Sequence, residues 1–249
     1  MNYRVGVLGA KGRMGAEVVK AVSAANDMTM VAAIDAGDPV FSMANEGANI
    51  VVDFTNPDAA VVHIPWLIEN GLHVVVGTTG FTPEQMTAIE KVSAAHPQVG
   101  ILFAPNFSIG AILTMRFAAE AARFFESAEI IELHHPNKID APSGTSIHTA
   151  EGIAKSRAEV GKGDMPDATK TGIEGARGAR VHGVSIHSVR MPGLVAHEEV
   201  LFGDTGEMLT IRHDSFERSS FMPGVLAGIR GVVNNPGITH GLDKFLGLS

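Results

Sequence analysis

One pattern in the first hundred residues limits what this chain can fold into. A short apolar run, a polar tip and a helical stretch recur in that order. The apolar runs are Arg4 to Leu8, Met30 to Ile34, Ile50 to Phe54, His73 to Val76 and Val99 to Phe103. They are apolar at consecutive rather than alternate positions, which suits strands buried on both faces. Between them the helix starts are marked. Asn56 stands as a cap ahead of Pro57 at the first helical position, and Thr82-Pro83-Glu84-Gln85 reads as a capping box. Strand–helix repeats of this kind join parallel strands by crossovers that place helices on both faces. The expected fold is therefore α/β, a doubly wound parallel sheet.

The first corner of that sheet carries a recognisable chemistry. Leu8 runs into Gly9-Ala10-Lys11-Gly12-Arg13-Met14-Gly15, followed by an alanine- and valine-rich helical pattern through Ala25. Glycines at a strand-to-helix corner permit a tight turn and let a pyrophosphate approach the helix N-terminus. The spacing is G-x-x-G-x-x-G, a variant of the Rossmann-type G-x-G-x-x-G. Asp35 ends the second run about 20 residues on, where such folds place the carboxylate that binds the adenine ribose hydroxyls. No arginine follows Asp35 to grip a 2′-phosphate, while Lys11 and Arg13 bring positive charge to the loop. The expected cofactor is NADH, NADPH or both. Two further polar tips, Gly77-Thr78-Thr79 and Ala104-Pro105-Asn106-Phe107, fall at the carboxyl ends of strands, where ligands of open α/β sheets bind.

The second half changes character. Ile109 to Phe125 reads as a helix whose stripe of Ile112, Met115, Phe117 and Phe124 is accounted for by core packing. A strand is expected over 129–133 and a helix from Ser146 to Val160, stopped by Gly161. The glycine-rich, polar stretch 161–179 is expected to be a long mobile loop, of the kind that serves as a lid or interface arm. From Arg180 the apolar period becomes two. Val181 to Arg190 and Val195 to Phe202 are joined by Met191-Pro192-Gly193, and Met208 to His213 follows a turn at 203–206. This antiparallel run makes the second half an α+β unit with a mixed, open sheet, whose free face invites oligomerisation. After Ser215 a helical pattern with Phe221, Val225, Ile229 and Val232 on one stripe runs to Val233. The expected domains are 1–106, with 216–249 packing back onto it, and 107–215.

Between strand and helix in that second half lies the densest chemistry of the chain: Glu132-Leu133-His134-His135-Pro136-Asn137-Lys138-Ile139-Asp140-Ala141-Pro142-Ser143-Gly144-Thr145. Ser143 is a natural N-cap, and Gly144 and Thr145 follow with first-turn N–H groups at the positive end of the helix dipole. Lys138 adds a full charge, and the histidines can move protons near neutral pH. The pattern points to an anionic substrate held beside proton-transfer groups. Adjacent histidines on an extended chain face opposite ways, so no metal site is expected. With no cysteine there is no thiol nucleophile or zinc–thiolate site. The net charge of −8 without a basic run argues against a nucleic-acid partner. No apolar run approaches the ~20 residues that span a bilayer, and the opening residues lack a signal-peptide pattern. A cytoplasmic protein without a membrane partner is expected.

Taken together, these motifs resemble the dihydrodipicolinate (4-hydroxy-tetrahydrodipicolinate) reductase family. The likeness spans essentially the whole chain. It includes the glycine loop, Asp53-Phe54-Thr55, Gly77 to Gly80, Asn106-Phe107-Ser108 and the Glu-x-His-His-x-x-Lys-x-Asp-x-Pro-Ser-Gly-Thr run ending at Thr145. Later positions fit too: Arg177-Gly178, His197, Gly206-Glu207 and Arg218 to Phe221. The resemblance implies a nicotinamide-dependent reductase of lysine and diaminopimelate biosynthesis that assembles as a homotetramer. It implies His134 as proton donor/acceptor and Lys138 as proton donor, with His135 and the Gly144-Thr145 backbone on a small dicarboxylate. It also implies a nicotinamide cofactor held by the glycine loop and the two polar tips. Some members carry Glu-Arg where this chain has Asp35-Ala36. Two rival readings are a different dinucleotide-dependent oxidoreductase acting on a sugar or semialdehyde, and a non-enzymatic NAD-sensing module. The second would need the glycine loop but neither Lys138 nor His134, and the missing cysteine removes thiol-dependent semialdehyde dehydrogenases from the first.

Overall fold

The computed structural model describes residues 2–248. The chain divides into two compact units, Met1–Ser108 with Arg218–Ser249, and Ile109–Glu217. The first unit opens with β1 (Tyr3–Leu8), α1 (Arg13–Ala24), β2 (Met28–Ile34), α2 (Ser42–Asn45), β3 (Ile50–Asp53), α3 (Pro57–Glu69), β4 (His73–Val76), α4 (Pro83–Ala95) and β5 (Gly100–Phe103). The strands pair in parallel in the order β5-β4-β3-β1-β2. Both faces are covered, and every residue of β3 is buried. One face of the core collects Val51, Val74, Val76 and Ile101 with Ile64, Leu67 and Ile68 of α3. Burying each such side chain contributes about 1.5–3 kcal/mol.

The expected caps form. The Asn56 side chain accepts the Ala59 N–H at 3.0 Å. Thr82 Oγ1 accepts the Gln85 N–H at 3.2 Å, and Gln85 Oε1 accepts the Thr82 N–H at 2.9 Å. These bonds satisfy end groups that a helix cannot satisfy itself. The one-turn helix α2 was not expected; it is too short to show a period, and it buries Met43.

The second unit runs α5 (Ile109–Ala121), β6 (Ser127–His134), α6 (Gly144–Glu159), β7 (Ala179–Val181), β8 (Val184–Arg190), β9 (Ala196–Asp204) and β10 (Glu207–Ser215). Its five strands lie in the order β10-β9-β6-β8-β7, so the sheet is mixed. Here the expected antiparallel run needs correction. β8 and β9 do not form a hairpin, because β6 lies between them, antiparallel to β9 and parallel to β8. A parallel pair needs a long crossover, and α6 with the stretch after it supplies one. The expected strand from Val181 to Arg190 is also broken. His182 and Gly183 both take positive φ, 49° and 87°, and turn the chain between β7 and β8.

The apolar stripe expected on α5 is corrected as well. Ile112 is buried, but Phe117 is 51% exposed and Phe124, beyond the helix end, is 73% exposed. The core takes the small face instead, packing Ala118 and Ala122 with Ala150 and Ile153. The 161–178 stretch is irregular but anchored. Asp167 pairs with Arg177 and Arg180, Arg177 pairs with Glu129, and the Arg157 guanidinium donates to the Phe125 and Gly163 carbonyls.

The chain then re-enters the first unit through a 3-10 turn at Arg218–Phe221 and α7 (Met222–Val232). Val225, Ile229 and Val232 of α7 are buried, and the helix packs against α1 and β4. Arg230 of α7 pairs with Asp27 at 2.8 Å. Beyond the expected stop at 234–237 comes an unforeseen sixth strand, β11 (Gly237–His240), parallel to β5 at the sheet edge. Among the described residues no helix is long and apolar enough to cross a membrane.

Candidate functional site

In the first unit, four polar tips sit at the carboxyl ends of parallel strands. After β1, Gly9 takes φ 75°, and its N–H and that of Ala10 both donate to the Ile34 carbonyl. A Cβ on Gly9 would lie 2.6 Å from the Phe54 carbonyl oxygen, and one on Gly15 would fall on the carbonyl of Gly9. Only glycine allows the loop to fold this tightly under α1. Gly12 caps α1 without any side-chain bond, so no side chain stands between the helix N-terminus and an approaching phosphate.

Asp35, at the end of β2, accepts the Lys11 N–H at 2.7 Å and the Ala36 N–H at 2.8 Å. These two bonds hold its carboxyl below the usual range. Gly9, Gly12, Asp35, Asn56 and His63 line a cavity of about 290 Å³, and His63 Nδ1 is buried without a partner among the described residues. A glycine cradle, an uncapped helix start, an ionised Asp35 and an orphaned ring nitrogen beside one cavity fit a dinucleotide. After β4, Gly77 packs so closely on Phe54 that a Cβ would run into its ring. Thr78 Oγ1 donates to the buried Asp53 at 2.5 Å, and Thr55 donates to the same carboxylate. Burial pushes the Asp53 carboxyl up, and the Thr78 and Thr55 bonds only partly offset it. After β5, Ala104 donates its N–H to Val76, Asn106 accepts the Ser108 N–H, and Phe107 is buried against Phe54 with ring centroids 5.7 Å apart.

In the second unit the histidine–lysine loop is built on buried carboxylates. Glu132, fully buried in β6, lies 2.5 Å from His134 Nδ1 and takes both terminal nitrogens of Arg190 at 2.8 Å. Burial opposes its charge, but the bonds from His134, Arg190 and Ser188 outweigh that and bring its pKa to about 2. An ionised Glu132 makes His134 Nδ1 the donor, which leaves Nε2 as the nitrogen that can exchange a proton with a ligand. Arg190 also donates to the Asp140 carbonyl at 2.8 Å, and the Asp140 carboxylate holds Lys138 Nζ at 2.8 Å. His135 accepts the Lys138 N–H through its carbonyl, and its Nδ1 is buried with no partner among the described residues. Ser143 caps α6, its Oγ accepting the Ser146 N–H at 3.2 Å. Gly144 opens the helix beside empty space, where a Cβ would meet nothing within 4 Å.

Comparison with known proteins identifies the family of both units. Residues 3–107 match the model for the N-terminus of dihydrodipicolinate reductase, and residues 110–246 match that for its C-terminus. The chain belongs to the dihydrodipicolinate reductase family. It is 56% identical over 248 residues to a 4-hydroxy-tetrahydrodipicolinate reductase of Nocardia farcinica, covering 100% of both chains. It is 54% identical over 246 residues to one of Corynebacterium diphtheriae, covering 99% of each. A solved dipicolinate-bound dihydrodipicolinate reductase from Paenisporosarcina sp. TG-14 superposes with a TM-score of 0.87 at 37% identity, over 98% of this chain and 99% of that one. Like other members of the reductase family, this chain is a nicotinamide-dependent oxidoreductase of lysine and diaminopimelate biosynthesis.

Within this reductase, the residues expected from sequence sort cleanly between the units. Gly9, Ala10, Lys11, Gly12, Arg13 and Met14 form the β1–α1 corner. Asp35 meets that corner through Lys11. Gly77, Thr78 and Thr79, and Ala104, Pro105, Asn106 and Phe107, end the next tips of the same sheet edge. His134, His135, Lys138, Ser143, Gly144 and Thr145 lie together between β6 and α6. Sequence reasoning named Asp53, Glu132, Asp140 and Ser146 without giving them a supporting role, and it singled out none of Thr149, Arg190 and Glu198, which also hold these residues in place. A local signal existed for Glu132, since residues two apart on a strand share a face and it stands two before His134. Arg190 becomes a partner only through the β6–β8 pairing, which aligns it with His134.

Proposed function

We propose that the first unit binds NADH or NADPH and the second binds the ring dicarboxylate that this reductase converts to tetrahydrodipicolinate. The bound nicotinamide supplies a hydride to the conjugated ring. The negative charge that develops there must be protonated, and Lys138 and His134 are the groups that do so. Lys138, held by Asp140, donates the proton and attracts one carboxylate. His134, fixed at Nδ1 by Glu132, polarises or relays through Nε2. The first turn of α6 takes a carboxylate on the Gly144 and Thr145 backbone, and His135 Nδ1 finds its missing partner there. The observation that carries this reading is the His134–Glu132 contact at 2.5 Å beside the Lys138–Asp140 pair, in a loop that ends on the Ser143 cap.

The same reading makes the enzyme cytoplasmic, where reduced nicotinamide is available, and a homotetramer assembled through the second-unit sheet. The outermost strand β10 supports such an assembly, since it exposes Met208 and Leu209. The deciding experiment follows nicotinamide oxidation by the purified chain with substrate generated from pyruvate and aspartate semialdehyde by the pathway synthase. NADH and NADPH are compared side by side. Substrate-dependent oxidation is expected with at least one of them. Lys138→Ala should lower kcat by about 10²–10⁴-fold, as loss of a general acid does, with NADH affinity unchanged. A fully active Lys138→Ala enzyme rejects the assigned acid.

A further inference from the structure

A second buried carboxyl lies opposite Glu132. The β6–β9 register pairs Glu132 with Glu198, and such pairs place side chains about 5 Å apart on one face. Glu198 is 6% exposed. Ser146 Oγ donates to its Oε2 at 2.5 Å, and Thr149 Oγ1 lies 2.7 Å from its Oε1. All three hydroxyls around it, Ser143, Ser146 and Thr149, are buried.

The protons can be counted. Ser146 gives its proton to Glu198, so Ser143, 2.9 Å away, gives its own to Ser146 Oγ. Thr149 has one proton but two acceptors, Glu198 Oε1 and the Thr145 carbonyl at 3.0 Å. A proton on Glu198 Oε1, donated to Thr149, frees Thr149 to donate to Thr145 and satisfies every group. The adjacent Glu132 favours the same state. Glu132 and His134 face Glu198 from β6 and act in opposite senses, Glu132 pushing its carboxyl up and His134 pulling it down, and Arg190 directs its terminal nitrogens to Glu132 and the Asp140 carbonyl. Among the described residues, no cation lies within ion-pair distance of Glu198. Arg190 lies on β8, on the far side of β6 from β9, and is taken up by Glu132, so a charge on Glu198 would be buried beside a like charge with no cation of its own. Burial itself pushes the Glu198 carboxyl up.

We propose that Glu198 is a positioning residue, a neutral carboxylic acid that bridges Ser146 and Thr149 and so fixes the first turn of α6 for a substrate carboxylate. This rests on the reading that the Gly144-Thr145 turn binds that carboxylate. Glu132 serves the proton-transfer half of the loop, and Glu198 serves its anion-binding half.

The test uses the full chain with NADH present and dipicolinate as the probe, measured by calorimetry. Glutamine can replace a neutral acid, its carbonyl accepting from Ser146 and its amide donating to Thr149. Glu198→Gln should therefore hold dipicolinate within about threefold of the parent, while Glu198→Ala weakens it roughly tenfold or more, the scale of a lost buried hydrogen bond. In Glu198→Ala the rise should appear in the KM of the ring substrate much more than in kcat. Infrared spectra should contain a protonated-carboxyl band that Glu198→Gln removes. Should Glu198→Ala not fold, Ser146→Ala and Thr149→Val cut the same bridge and should each weaken dipicolinate. Glutamine as damaging as alanine would mean that charge matters, and unaltered binding in the alanine or hydroxyl variants would mean no positioning; either overturns the proposal. A parent enzyme that turns over substrate without binding dipicolinate would instead reject the underlying carboxylate-site reading.

Discussion

Replacing Glu132 with glutamine isolates the ion cluster on which the 134–145 loop is built. The Glu132 carboxyl falls from an ordinary 4.5 to about 2 in the folded chain. A gap of about 2.5 units, at ~1.4 kcal/mol per unit, corresponds to on the order of 3 kcal/mol of folded-state stability at neutral pH. Because the folded pKa is depressed, this contribution is complete above about pH 4.5 and is lost as pH falls through about 2. Glu132→Gln removes it and also leaves Arg190 without its bidentate partner. At neutral pH the variant should therefore melt roughly 6–12 °C lower, using ~2–4 °C per kcal/mol for a chain of this size. Thermal unfolding of both proteins over a pH series is the assay. The gap between the two melting curves should be constant from neutral pH down to about 5 and then shrink, since a protonated Glu132 resembles glutamine. Carboxylates outside this cluster titrate equally in both proteins and cancel in the difference. A gap that stays constant to the acid limit, or widens there, refutes an ionised Glu132 as the anchor of His134 and Arg190.

Two further outcomes follow from individual contacts. Ser143→Ala removes the cap of α6 and should cost about 1 kcal/mol, seen as a lower melting point together with a raised KM for the ring substrate; a change in kcat alone would contradict the carboxylate-binding role of that turn. Asp35→Ser removes the carboxylate that opposes a 2′-phosphate while leaving Lys11 and Arg13 in the loop. The ratio of kcat/KM for NADPH to that for NADH should rise, and an unchanged ratio would place cofactor choice elsewhere.

The fold was legible where one residue run decides its own structure. β1, β3, β4 and β5 are buried on both faces, so each reads as an unbroken apolar run. The caps at Asn56, Thr82 and Ser143 are local bonds spanning three residues. Order within the second sheet was not legible, because pairing β6 with β8 is decided by which ladder is open after α6 has crossed over. The Met191-Pro192-Gly193 turn suggests a hairpin, yet it only redirects the chain from one flank of β6 to the other. β11 was missed for a different reason. It is four residues long and half-exposed at an edge, so it has too few positions to show a period.

The candidate site divides along the same line, and the division identifies a usable signal. The glycine loop and the His134–Thr145 run are contiguous and readable, whereas their supports reach across the chain, Arg190 to Glu132 over 58 residues and Ser146 to Glu198 over 52. Yet both acids break a pattern that is local. Along β6 the inward positions are Ala128, Ile130 and then Glu132; along β9 they are Phe202, Val200 and then Glu198. A carboxyl that continues an apolar alternation must be buried, and a buried carboxyl needs an ion partner or a proton. Here the two solutions stand side by side, with Arg190 and His134 on Glu132 and a hydroxyl bridge on Glu198. Breaks of this kind in an otherwise consistent strand are where function displaces packing. They mark the supports of the candidate site, Glu132 on His134 and Glu198 on the first turn of α6.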